Sequence, residues 1–203
     1  MRRKSAETRQ QIIDEAYTLF YQSGFMRTGV DAIANAVGIT KRTLYQHFGS
    51  KDELIGAVLE HQHQMAFERI RRWADCMTGK PDQMVMTLFE KLAQWADGTE
   101  WRGSGFTRAA VEFADLPGHP ARKAARRQKE EVERYLVEKF AAYDLDDAEQ
   151  LVREVLLLIE GCQTLVLIHD NLDYIYAARH AALVLVRNYQ STPAENVYLP
   201  QQT

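Results

Sequence analysis

The chain has 203 residues, 46% of them hydrophobic and 26% charged, with a formal net charge of −3. This is the composition of a globular protein with a core, and it excludes a disordered chain and a surface that binds nucleic acid by overall charge alone. The charge is unevenly placed: the first 55 residues hold a small excess of Lys and Arg over Asp and Glu, and the remainder holds the opposite excess. That is the sign expected of a basic reading head on an acidic body.

The hydrophobic pattern repeats at the helical period almost throughout, and strand-type alternation is absent, so an all-α chain is expected. A first helix runs from about Ser5 to Gln22 with Ile12, Ile13, Ala16, Leu19 and Phe20 on its apolar face, and Ser23-Gly24 ends it. A short helix follows with Val30, Ile33, Ala34 and Val37 inward, closed by Gly38. Thr40 is placed to cap the next helix, TKRTLYQHF, in which Leu44 and Phe48 form the apolar stripe. Lys41, Arg42, Thr43, Tyr45, Gln46 and His47 lie off that stripe. An exposed Tyr beside two cations and an amide has no packing reason, whereas it suits a helix that enters a DNA groove.

Ser50 with Glu53 predicts a capping box that opens a long helix from Lys51 to about Met77. Thr78-Gly79-Lys80-Pro81 separates it from a helix over about Pro81–Asp97, and a Gly-containing turn leads to a shorter one over about Phe106–Asp115. Leu116-Pro117-Gly118-His119-Pro120 is a break before a helix reaching about Tyr143. Asp146 and Glu149 are read as the next cap pair, followed by helices over Asp147–His169 and about Asp173–Gln190. Residues 191–203 read as a tail, and Arg2-Arg3-Lys4 as a loose basic end with a minor groove as its alternative destination. The expected division is a helix–turn–helix domain over residues 1–50 and a larger helical domain over 51–190, of which 51–77 is the connecting helix.

From Ile12 to Leu54 the chain resembles the tetracycline-repressor-like (TetR/AcrR) family of bacterial transcriptional regulators. The resemblance is carried by Ala16, Leu19 and Phe20, then Gly24-Phe25, Thr28, Val30, Ile33-Ala34, Gly38-Ile39, Thr43-Leu44-Tyr45, His47-Phe48, Ser50-Lys51 and Leu54. Gly29 departs from the Ser or Thr the family often has at the start of the second helix; Gly remains an acceptable cap. The resemblance implies a nine-helix all-α architecture with an N-terminal three-helix DNA-binding domain. By position, Thr28, Thr40, Tyr45 and Lys51 are implied phosphate contacts. Lys41, Arg42, Thr43 and Gln46 are candidate base readers, Arg suiting guanine and Gln adenine. His47 is open to either.

For the body, the resemblance implies a homodimer on a palindromic double-stranded operator and a small-molecule effector. The run Val155–Ile159 to Leu165–Ile168 is apolar nearly all round, and the last helix has a second broad apolar face, so both must be buried on several sides. Leu158, Leu165, Ala178, Ala182, Leu185, Val186 and Tyr189 are the expected dimer residues. Trp95, Phe106, Phe113 and Tyr135, with Gln163 and Thr164 as orienting groups, are the expected effector contacts. Arg122–Lys129 reads as a solvated, internally paired face, with attraction of an anionic ligand as the alternative. The cysteines Cys76 and Cys162 read as buried free thiols, and no disulfide, metal or cofactor is expected. The longest apolar run is too short for a membrane span and no secretory leader is expected, which places the chain in the cytoplasm. The alternatives are an all-α metal protein or enzyme, drawn from the scattered histidines, and a regulator that senses no small molecule.

Overall fold

The computed structural model describes residues 2–77 and 79–190, with side chains from Ser5 onward. The expectations for the Arg2–Lys4 side chains, Thr78 and the 191–203 tail lie outside the described residues. The rest forms helices α1 (Arg2–Ser23), α2 (Val30–Val37), α3 (Lys41–His47), α4 (Lys51–Asp75), α5 (Pro81–Ala96), α6 (Gly105–Glu112), α7 (Pro120–Phe140), α8 (Ala148–His169) and α9 (Asp173–Tyr189). Among the described residues no helix is long and apolar enough to cross a membrane.

The helix boundaries follow from local chemistry. Gly38 has φ 75°, in the left-handed region, and the N–H of Ile39 returns to the Ala34 carbonyl at 2.9 Å, so the chain turns sharply out of α2. The Thr40 hydroxyl then accepts the N–H of Thr43 at 3.1 Å and starts α3. At α4, Ser50 Oγ accepts the Glu53 N–H at 3.0 Å, while the Glu53 carboxylate accepts the N–H of Gly49 at 2.8 Å. The expected box is therefore offset: its return bond reaches the residue before the cap. At α8 the cap is Asp147, whose carboxylate accepts the Gln150 N–H at 2.9 Å, and not the predicted Asp146–Glu149 pair. His119 caps α7, its Nδ1 accepting the Ala121 N–H at 3.1 Å.

Two clusters of buried side chains result. The first joins Ile12, Phe20, Ile33, Leu44 and Phe48 to Leu54, Ile55, Val58 and Leu59 of α4, and continues into Phe106 and Phe113 and the start of α7. It does not stop at residue 50, because α1, α2 and α3 together are too small to close a core. The second is the body, built on α5, α7, α8 and α9, with Ala74 from the end of α4. Three polar pairs tie α4 to α7 along their seam: Asp52 with His119 at 3.3 Å, Arg127 in a two-pronged contact with Glu60 at 2.9 and 3.0 Å, and His63 with Glu131 at 2.7 Å. The basic run of α7 is largely paired, but only Arg126 with Glu130 follows its internal spacing; Arg127 and Lys129 pair across to Glu60 of α4 and Glu160 of α8.

Several expectations are corrected here. Cys76 is exposed, whereas Cys162 is buried and its thiol is pushed up to about 11 by that burial. Ala178, Ala182 and Val186 are buried in their own body by α5 and α8, so they have no surface left to offer a partner. Leu158, Leu185 and Tyr189 are half-buried on the same core, Tyr189 donating to Glu154 at 3.1 Å, and only Leu165 is exposed. The large apolar side chains that α8 and α9 do expose are Leu157, Leu165, Leu167, Ile168, Tyr176 and Val184.

Thr28, in the loop between α1 and α2, is also buried. Its hydroxyl donates to the Gly24 carbonyl at 2.7 Å and to the Leu19 carbonyl at 3.2 Å, bracing the loop against the end of α1. Leu44→Ala should lower stability by about 2–5 kcal/mol, as for other emptied leucine sites, measured as a shift of the urea midpoint. Thr28→Val, which keeps the shape and removes the donor, should cost about 0.5–1.5 kcal/mol by the same measurement.

Candidate nucleic-acid interface and effector cavity

The outer face of α3 is organised by what holds its inner face. Leu44 and Phe48 are fully buried, and the Arg9 guanidinium of α1 lies 4.7 Å over the Phe48 ring. With that stripe pinned, the remaining positions have one direction left. Arg42 and Gln46 are exposed and have no partner among the described residues. Tyr45 exposes 41% of its surface, a large share for an aromatic on so short a helix. Lys41 is exposed and reaches back to Asp31 of α2 at 3.1 Å. Thr43 and His47 are half-buried at the edges, Thr43 sharing a hydrogen bond with the Thr40 hydroxyl at 2.9 Å.

The expected phosphate contacts therefore divide. Tyr45 stands free. The Thr40 hydroxyl is engaged in capping. The Lys51 ammonium donates to the Met26 carbonyl at 3.2 Å, and partial burial lowers its pKa. The Thr28 side chain faces inward with its donor occupied, which removes it from the side chains able to meet a phosphate; the expectation for Thr28 is corrected to a structural one.

The join between head and body is polar and close. Gly24 has φ 93°, a backbone conformation that other residues rarely adopt, and a side chain there would press on the ends of Arg108 and Glu112 of α6 at 3.0 Å. Arg108 donates to the Tyr21 carbonyl at 2.8 Å and pairs with Glu112 at 2.9 Å. Glu112 accepts the Met26 N–H at 2.8 Å. The Tyr21 hydroxyl accepts the Arg102 N–H at 2.8 Å and donates to the Gly103 carbonyl at 3.3 Å.

Beneath that join lies a cavity of about 990 Å³. Of the six expected effector contacts, Trp95, Phe106 and Gln163 line it. Thr164 lines a smaller neighbouring cavity of about 410 Å³ and donates its hydroxyl to the Glu160 carbonyl at 3.0 Å. Phe113 is corrected: it stacks on His119 with ring centroids 3.9 Å apart, inside the core that joins the head to α7. Tyr135 is corrected likewise, packing edge-on against Phe67 at 5.5 Å away from the cavity lining. Residues not foreseen line the cavity: Tyr17 and Tyr21 from α1, Arg69 and Trp73 from α4, Trp101, and Gln128. Arg69 was detectable, since it stands three residues after Ala66 and four before Trp73, within the apolar arc of α4. The others required knowing which helices meet.

Residues 12–58 match the family model described as bacterial regulatory proteins, tetR family. The transcriptional regulator TtgR of Pseudomonas putida is 41% identical over 61 residues, which is 30% of this chain and 29% of that one. The chain thus spans under a third of the length of that relative. YjdC of Escherichia coli is 21% identical over 179 residues, 88% of this chain and 93% of its own. Among solved structures, the TetR-family transcriptional regulator SCO4454 from Streptomyces coelicolor superposes with a TM-score of 0.79 at 23% identity, covering 91% of this chain and 96% of that one. A TetR-family regulator from Cytophaga hutchinsonii superposes at 0.80 with 18% identity, covering 94% and 98%. Residues 12–58 thus carry the helix–turn–helix of the tetR family of bacterial regulatory proteins, and the chain as a whole shares the fold of these solved TetR-family regulators.

Proposed function

We propose that the protein is a homodimeric, DNA-binding regulator of transcription acting in the cytoplasm, a repressor that a small molecule taken into the body cavity releases from a palindromic operator. The observation that carries this reading is the outer face of α3: Arg42, Tyr45 and Gln46 are exposed and without partners among the described residues, on a helix whose Leu44 and Phe48 are fully buried. In this reading Arg42 and Gln46 read base edges, Lys41 and Thr43 assist from the leading turn, and Tyr45, Lys51 and the capped start of α3 at Thr40 meet phosphates. His47 serves at the edge of that set. Phosphate contacts place the head, and base contacts select the sequence.

Two heads are needed for two half-sites about 34–36 Å apart. Leu157, Leu165 and Ile168 on α8, with Tyr176 and Val184 on α9, supply an apolar face whose natural cover is the same face of a second copy. Gly161 on that face of α8 has open space where a side chain would be, leaving room for a close helix approach.

The effector part of the reading is supported by the position of the cavity. Its wall includes Tyr17 and Tyr21 of the head together with α4 and α7 of the body, so a molecule filling it touches both units. Such a molecule changes the spacing of the heads to the extent that it binds one arrangement better than another.

The protein should retard DNA from the region upstream of its own gene in a sequence-selective, salt-sensitive manner. Retardation that is absent or indifferent to sequence removes the proposal. Arg42→Ala should cost about 1–3 kcal/mol at one base position; an even loss over all sequences would make Arg42 a phosphate contact instead. Ile168→Glu, at a side chain 66% exposed, should leave helicity unchanged yet convert the dimer to monomer in sedimentation and weaken operator binding.

A further inference from the structure

The cavity wall holds polar groups that the fold leaves without partners, and together they describe a ligand. Most cations of the wall are engaged: Arg108 with Glu112, Arg126 with Glu130, Lys129 with Glu160, Arg153 with Glu133, and Arg122 with the Ala114 carbonyl. Arg69 has no carboxylate and no hydrogen-bond acceptor among the described residues. Its guanidinium lies 4.7 Å over the Trp95 ring. Burial works against its charge, yet an arginine at this depth stays protonated. A second unpartnered donor, the buried Nε1–H of Trp101, stands beside the same ring, the Trp95 and Trp101 centroids being 5.7 Å apart.

The opposite sign is found on α7 and α8. Gln163 is 7% exposed, and its amide nitrogen donates to the Ile159 carbonyl at 3.3 Å, which makes its buried, unpartnered Oε1 the free end. Gln128 is also 7% exposed with an unpartnered Oε1. Each such buried orphan costs about 1–3 kcal/mol. Water satisfies an amide carbonyl, but it does not neutralise a guanidinium. Between the two polar groups the wall is apolar and aromatic, Trp73 meeting Trp95 edge-on at 6.3 Å.

We propose, building on the effector reading above, that the cavity takes an amphipathic organic anion: an aromatic carboxylic acid whose carboxylate meets Arg69 and Trp101 Nε1–H and whose ring lies among the tryptophans. A hydroxyl or amide donor on its far side meets the Gln163 and Gln128 carbonyls. A cationic molecule of the same shape is repelled by Arg69 and finds Glu133 and Glu160 of the wall already paired, while Glu100, the remaining carboxylate of the lining, is exposed to solvent.

Calorimetric titration of the full chain with naphthoate, naphthamide, naphthylmethylammonium and hydroxynaphthoate tests this. Naphthoate should bind at least about tenfold more tightly than the neutral amide, the value of roughly one charge-assisted hydrogen bond, and the ammonium no more tightly than the amide. Arg69→Met, which keeps the apolar stem on Trp95, should abolish the preference for naphthoate over naphthamide. Gln163→Leu should abolish only the gain of hydroxynaphthoate over naphthoate, and serves if the arginine variant does not fold. Equal affinity for acid and amide, preference for the ammonium, a preference that survives Arg69→Met, or no binding by any probe overturns the proposal. The effector reading fails separately: an acid bound with this selectivity that leaves operator affinity unmoved keeps the anion site and removes the release mechanism, whereas an ammonium that releases DNA does the reverse.

Discussion

Helix α4 belongs to two cores at once, and this constraint shapes the rest of the molecule. Its first half gives Leu54, Ile55, Val58 and Leu59 to the cluster that completes the head, and its second half gives Ala74 to the body, with Phe67, Ile70 and Trp73 packed alongside. A helix is stiff over this length, so neither core can shift along it without disturbing the other. The seam with α7 adds the pairs at Asp52, Glu60 and His63, spaced down its length, so α4 is held in orientation as well as position. The head is therefore not a separate bead on a linker.

That arrangement explains why the molecular centre is hollow where it is. Helices α1, α4, α7 and α8 all contribute to its wall, which shares Val58 and Leu59 with the core of the head and Val132 and Leu136 with the core of the body. Tyr17 and Tyr21 face it from the head and Gln128 and Gln163 from the body. A cavity in this place is a consequence of joining two cores through one rod, and its polar orphans are what packing alone does not explain.

The head was legible in the sequence because its determinants are local. Gly38, Thr40, Ser50 and the Leu44–Phe48 spacing each act within a few residues, and each appears where the pattern places it. The offset return bond of Glu53 to Gly49 and the choice of Asp147 over Asp146 were beyond reach, because which of two adjacent donors or acceptors is aligned depends on backbone angles that the sequence does not display. The body was legible only as helices. A broad apolar face does not say whether its own chain or a second copy covers it, so Ala178, Ala182 and Val186 read as interface when they are core. Aromatic residues carry the same ambiguity, which misplaced Phe113 and Tyr135. Arg69 is detectable from its place in the apolar arc of α4, whereas the cavity it faces emerges only once the partner walls are known.

The clasp at Gly24 has an energetic character unlike the cores on either side of it. Apolar packing is nearly indifferent to added salt, whereas Arg108, Glu112 and the carbonyl of Tyr21 act through charge on partly exposed groups. Ionic strength thus touches this protein at two separate points: it screens the attraction of the head for a polyanion, and it loosens the hold of the body on the head. The clasp is thus the part of the head–body contact that added salt weakens, while the apolar packing around it is left nearly unchanged.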